Sequence, residues 1–226
     1  MTDPVESPAG AAAERPRRNR RQTEARLRQA VEDLLVEGGF SALTPSAVGV
    51  RAGVNKMLIY RYFGDLPGLV RSVAYADGFF PTFDYLRGDL TVAELLALPV
   101  SRRAAHIIDR NARMLLARPV VLELMVWELV DRNELTAIME EARETLGLRL
   151  MAELFPDVAD KEMLQAFSAL LSAGVTYLAL RQRKIRWYSG LDLKSDAAWT
   201  ALAVAVEHMT RDLDLPADRN PRGDGG

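Results

Sequence analysis

The stretch RAGVNKMLIYRYFGD, Arg51 to Asp65, decides how the chain is read. Gly53 can take the left-handed backbone that stops a helix, and Asn55 is a strong cap for a new one over KMLIYRYF. On that second helix Ile59 and Phe63 share a face at i, i+4 spacing and can close a core. Lys56, Met57, Tyr60 and Arg61 then face outward, where a core gives the aromatic and the thioether no place.

Upstream, Leu27, Ala30, Val31, Leu34 and Leu35 trace the stripe of a one-sided helix. Gly38-Gly39 supplies the residue that ends it, and Phe40 packs back. Thr44 with Pro45 reads as an N-cap followed by proline at the first helical position, opening a short helix to about Arg51. Two short helices separated by about four residues with a glycine between them are a helix-turn-helix. In such a unit the first turn of the second helix meets base edges, so Lys56 and Met57 are placed there. Tyr60, Arg61 and Tyr62 can donate to phosphate oxygens. The backbone N–H groups of Ser46 and Ala47 form an electropositive helix end suited to one phosphate, with the Thr44 hydroxyl beside them. Taken singly, Tyr60 or Tyr62 reads equally well as a buried ring with a satisfied hydroxyl. Together, the cap, the turn, the outward aromatics and the arginine-rich approach favour DNA binding.

The charge pattern agrees. A net charge of −2 conceals eleven basic against five acidic residues between Arg15 and Arg71, so a basic N-terminal module precedes an acidic body. The run RPRRNRRQTEARLR, which includes Arg17 and Arg18, can attract phosphates, although many such runs are only solvated. With 226 residues, 49% of them apolar, the chain can bury a sizeable core. The absence of Cys excludes a disulfide framework and thiolate metal ligation. The N-terminal stretch lacks a signal-peptide core, so the expected location is cytoplasmic.

Over about Gln22 to Val70 the chain resembles the DNA-binding domain of the TetR/AcrR family of bacterial transcriptional regulators, on EGGF, TPSAV, RAGV and IYRYF in that order. The resemblance implies an all-α homodimer on a two-fold symmetric double-stranded operator, commonly a repressor. It also implies a larger C-terminal helical bundle that binds a small-molecule effector and dimerises through its last two long helices. Carried over by position, Lys56, Tyr60, Arg61 and Tyr62 touch the DNA backbone, with Met57 and Lys56 nearest the bases. Three positions depart from the family pattern. Met57 replaces a common glycine, Gly49 a common alanine, and Leu66 a lysine before the next helix. The arginines from Arg15 to Arg21 could compensate by lying along the backbone or in the minor groove.

The expected organisation is a disordered arm over 1–19, the helix-turn-helix domain over 20–68, a ligand-binding and dimerisation domain over 69–212, and a mobile tail over 213–226. A linking helix is expected from about Leu66 to Phe80, followed by a loop PTFDYLRGDL. Amphipathic segments near 102–117, 119–130 and 132–154 come next, then helices near 160–184 and 195–212 as the dimer pair. MLQAFSALLSAGVTYLAL, Met163 to Leu180, approaches membrane-spanning length but carries Gln165 and scattered Ser and Thr. Its small face at Ser168, Ser172 and Thr176, beside Ala169, Ala173 and Gly174, suits intersubunit packing, with a plain core helix as the other reading.

For an effector site the candidates are Tyr75, Phe79, His106, Arg110, Arg113, Met114, Met125, Trp127, Glu128 and Tyr177, since such sites mix apolar walls with a few polar anchors. The two histidines are far apart, and no HExxH, Walker loop or GxGxxG is present. No catalytic residue, metal or cofactor is therefore expected. His106 reads as a structural or pocket-lining residue, and a helical-bundle enzyme or a structural interaction module is the alternative class.

Overall fold

The computed structural model describes residues 9–76 and 79–214, with side chains from Asn19 onward. Among these the architecture is all-α, with eleven α-helices and one two-stranded hairpin. By compactness the chain forms two units. The first comprises 1–76 with 123–140, and the second 77–122 with 141–226.

In the first unit, α1 (Ala9–Gly38) lays Leu27, Ala30, Val31, Leu34 and Leu35 inward, as its periodicity requires. The helix starts ten residues before the end of the expected arm, since AGAAAER is strongly helix-forming. Gly39 then turns with φ 65° and ψ −160°, a region open essentially to glycine. A Cβ there would stand 2.4 Å from the Trp127 ring. Phe40 heads a single 3-10 turn (Phe40–Ala42) and is buried. Next come α2 (Pro45–Ala52), α3 (Met57–Phe63) and α4 (Leu66–Ala74). The linking helix is shorter than expected, because Tyr75 caps it in a non-helical conformation. Residues 123–140 join this unit rather than the C-terminal body, consistent with the packing of Trp127 on Gly39.

In the second unit two short helices come after residue 80, α5 (Phe83–Arg87) inside the expected loop and α6 (Val92–Leu96) just beyond it. Thr82 caps the first, and Thr91 with Glu94 forms a capping box on the second. The long helices are α7 (Val100–Ala117), α8 (Pro119–Val130), α9 (Glu134–Leu154), α10 (Lys161–Gln182) and α11 (Asp196–Met209), with α8 and α9 divided between the units. Phe83, Leu86, Leu95, Ile107, Leu154 and Leu164 belong to one continuous core. Strands β1 (Trp187–Tyr188) and β2 (Leu191–Asp192) pair between α10 and α11.

Two polar features stitch this unit together. Arg103, 1% exposed, donates to the Leu154 carbonyl at 2.6 Å and to Asp157, and lies over the Phe155 ring. That closes the C-terminal end of α9. The Ser101 N–H and hydroxyl donate to Asp214 at 2.9 and 2.6 Å, so a residue of the expected tail caps α7. The rest of that tail, from 215, lies outside the described residues.

Candidate nucleic-acid interface

Thr44 is extended, and its hydroxyl accepts the Ala47 N–H at 3.1 Å, with Pro45 at the first helical position of α2. This modifies the expected phosphate site: the Ala47 N–H is already used by the cap, which leaves Ser46 N–H at that end. At the other end Gly53 has φ 61° and ψ 39°, and its N–H returns to the α2 carbonyls. The Val54 N–H also donates to Gly49 at 3.0 Å. Asn55 then takes the Met57 N–H on its side chain at 2.9 Å and starts α3.

Gly49 explains how closely these helices approach. A Cβ at this position would come within 3.1 Å of the Val54 carbonyl and 3.2 Å of Lys56. The missing methyl lets the turn sit tight against α2. An open concavity lined by Ser46, Gly49, Val50, Gly53, Val54, Asn55 and Lys56 results.

The faces of α3 fall as the spacing requires. Ile59 is fully buried and Phe63 half-buried, whereas Met57 and Tyr60 are 60% and 45% exposed. Lys56 and Arg61 are exposed beside them. The Lys56 ammonium donates to the Ser46 hydroxyl at 3.3 Å, which brings two of the nominated contacts together across the turn. Tyr62 is half-buried, with the Arg20 guanidinium 5.0 Å from its ring centre and Arg61 6.0 Å away. One ring face is thus held by α1, and the hydroxyl is the part of Tyr62 suited to a phosphate.

Several basic residues counted in the N-terminal excess do internal structural work. Arg26 donates to the Gly53 carbonyl at 3.2 Å. Arg28 donates to Ser72 at 3.2 Å and lies over Phe63. Arg51 forks onto Glu37 and holds that carboxyl below its ordinary range. These bonds tie the turn, α4 and α2 to α1, so the charge count overstates what remains for DNA. The side chains of Arg17 and Arg18 lie outside the described residues. Leu66, the departure before α4, is half-buried as the first residue of that helix, behind an Asp65 cap that accepts Gly68 N–H at 2.7 Å.

The effector candidates occupy several environments. In the first unit Trp127 covers Gly39, Tyr75 is exposed at the end of α4, and Met125 and Glu128 are half-buried on α8. In the second unit Phe79 and Met114 are buried, and Arg113 forks onto Asp109. His106 and Arg110, four residues apart on α7, both reach α5: a His106 ring nitrogen meets the Arg87 carbonyl at 2.9 Å, and Arg110 bonds the Tyr85 carbonyl and lies over its ring. Tyr177 is exposed near the end of α10.

A capped helix, a left-handed glycine turn and a second helix with an outward cationic and aromatic face define a helix-turn-helix DNA-binding domain. The family model for bacterial regulatory proteins of the tetR family matches residues 27–73, and the N-terminal domain of this chain belongs to that family. The matched segment spans α1 from Leu27 to most of α4. No curated protein matches the chain.

Proposed function

We propose that the protein is a cytoplasmic, dimeric transcriptional repressor that leaves a palindromic operator when a small molecule binds its C-terminal body. The DNA contacts in this reading are Lys56, Met57, Tyr60, Arg61 and Tyr62, with Thr44 and Ser46 at the start of α2. Arg17 and Arg18 extend them along the backbone. Met57 and Lys56 stand nearest the bases, Lys56 also reaching the backbone, and the others position the domain on phosphates. The body has no catalytic role here; His106, Arg110 and Met114 are the first residues to test for effector contact, followed by Tyr75, Phe79, Trp127, Glu128 and Tyr177.

The observation that carries the dimer is α10. It is long and apolar enough to cross a membrane by length and composition, yet only 17% of its most apolar stretch is buried. Ala166, Leu170, Ala173 and Tyr177 form an exposed stripe on it, and Ala197, Ala201, Val204 and His208 form another on α11. Exposed apolar faces this long belong against another surface, and a second copy with the same two helices provides one. Ser168, Ser172 and Thr176 are half-buried and turn away from the stripe, toward the side that carries the buried Leu164, Val175 and Ala179.

Two domains reading successive major grooves must stand about 34 Å apart. A ligand favouring another separation weakens operator binding through its differential affinity. The test is a genome-wide capture of bound fragments, followed by a small-molecule screen for release of the captured operator. A releasing compound should bind free protein more tightly than operator-bound protein, because linkage is reciprocal. Equal affinity for the two forms contradicts effector release.

A further inference from the structure

Between α10 and α11 the chain could cross in a plain loop. Instead Ser189 and Gly190, with φ 49° and 82°, form a two-residue turn between β1 and β2. The base of this hairpin is firmly held. The Leu193 N–H donates to the Arg186 carbonyl at 2.8 Å, and the Arg186 guanidinium grips both oxygens of Asp192 at 2.8 to 3.1 Å. Leu193 is fully buried, and its carbonyl accepts the Trp199 indole N–H at 3.0 Å.

Isolated two-stranded hairpins are marginal in water, so this degree of anchoring needs a reason. The side chains it presents are Trp187, 58% exposed, with Ile185 and Tyr188 also open to solvent. Tyr188 meets Tyr177 edge to face at 5.9 Å between ring centres. The Arg181 guanidinium lies 5.5 Å from the Tyr177 ring and 5.0 Å from Tyr188, and donates to the Tyr177 hydroxyl at 3.0 Å. The Arg181 Nε is buried without a partner. Rigid aromatics supported by arginine, ordered in advance, are the composition that concentrates binding energy at protein interfaces.

Tyr177 also ends the exposed α10 stripe that runs through Ala166, Leu170 and Ala173. The aromatic cluster is therefore continuous with the face assigned to the second copy. We infer that the hairpin is a dimerisation arm, with Trp187 and Tyr188 packing on the second copy beyond the helical contact. This rests on the dimer proposed above and names a part of the interface that the paired helices alone do not supply.

The test is a sedimentation dilution series on the full chain and on Trp187→Ser. The arm predicts a dimer dissociation constant raised about tenfold or more in the variant. Independently of any substitution at the arm, 5-fluorotryptophan in the wild-type protein gives separate fluorine signals for the three tryptophans. The Trp187 signal, assigned with Trp187→Phe, should be shielded from a soluble paramagnet in the dimer and exposed on dilution to monomer. A wild-type chain that stays monomeric at micromolar concentration overturns the dimer and the arm together. A wild-type dimer whose constant is unchanged by Trp187→Ser, or whose Trp187 is equally accessible in both states, overturns the arm alone.

Discussion

Asp157→Ala and Arg103→Met remove the two ends of the same ion pair, yet they should not cost the same. The Arg103 side chain is 1% exposed, whereas that of Asp157 is 52% exposed. Removing the carboxylate leaves a buried guanidinium with the Leu154 carbonyl at 2.6 Å as its remaining hydrogen-bond acceptor. The expected cost is about 3 kcal/mol, the lower end of the range for breaking a buried pair, because the lost carboxylate was already half in water. Arg103→Met removes the charge as well, keeps apolar volume over Phe155 and releases Asp157 to solvent, so about 1 to 2 kcal/mol is expected. The hydrogen bond from Arg103 holds the Asp157 carboxyl below its ordinary range. A depressed carboxyl contributes stability that is complete above its unfolded value, about pH 4, and lost as the pH falls through the lower folded value. The difference between wild type and Asp157→Ala should therefore be constant from neutral pH to about pH 5 and shrink below about pH 4. Urea denaturation with an unchanged slope measures both effects. A larger loss for Arg103→Met than for Asp157→Ala would refute the reasoning, since the packed stem and not the paired charge would then dominate.

Leu170→Glu places a charge on a side chain that is 72% exposed in the single chain, so the monomer should keep its fold. Dimerisation should fall sharply by light scattering, and operator affinity with it. Gly68→Ala would put a Cβ 2.1 Å from the Phe63 carbonyl, in the joint between α3 and α4. Overpacking of that kind should destabilise the chain by about 1 to 3 kcal/mol in thermal unfolding and weaken DNA binding in parallel. Gly39→Ala meets both the backbone region open to glycine and the Trp127 ring, and should lower the unfolding midpoint more than Gly38→Ala, whose Cβ would meet only the Ala42 Cβ at 3.0 Å.

The helix-turn-helix was legible because its determinants are local. Thr44, Pro45, Gly53 and Asn55 act on backbone groups within four residues of themselves, and the Ile59 and Phe63 spacing fixes the inward face without knowledge of the rest. The main features not read from the sequence depend on distant partners or on short signals within a loop. Asp214 caps α7 from 113 residues away, and Arg103 reaches Asp157 across 54. Neither pairing has a sequence period. The basic excess misled for the same reason: Arg26, Arg28 and Arg51 bond to Gly53, Ser72 and Glu37, which charge counting cannot reveal. The signals for α6 and the hairpin were present, as Thr91-x-x-Glu94 and Ser189-Gly190, but each lies in a segment too short for periodicity to register. The effector candidates were chosen by residue type alone, and type does not separate a packed Met114 from a ligand wall.

The central claim is that α3 reads DNA with Met57 and Lys56 toward the bases and Tyr60 on the backbone. A competition titration over single-base operator variants, at two salt concentrations, tests it with three proteins. Tyr60→Phe should weaken operator and unrelated DNA by similar factors and leave the salt slope nearly unchanged, since the lost hydroxyl is neutral. Lys56→Ala should lower the slope of log affinity against log salt by about one if its ammonium meets phosphate. Met57→Ala should shift the preference at one or two symmetry-related base pairs, by about 1 kcal/mol, with little change on unrelated DNA. If Met57→Ala leaves the base preferences intact while Tyr60→Phe reshapes them, the face of α3 presented to the groove is not the one described, and the claim fails.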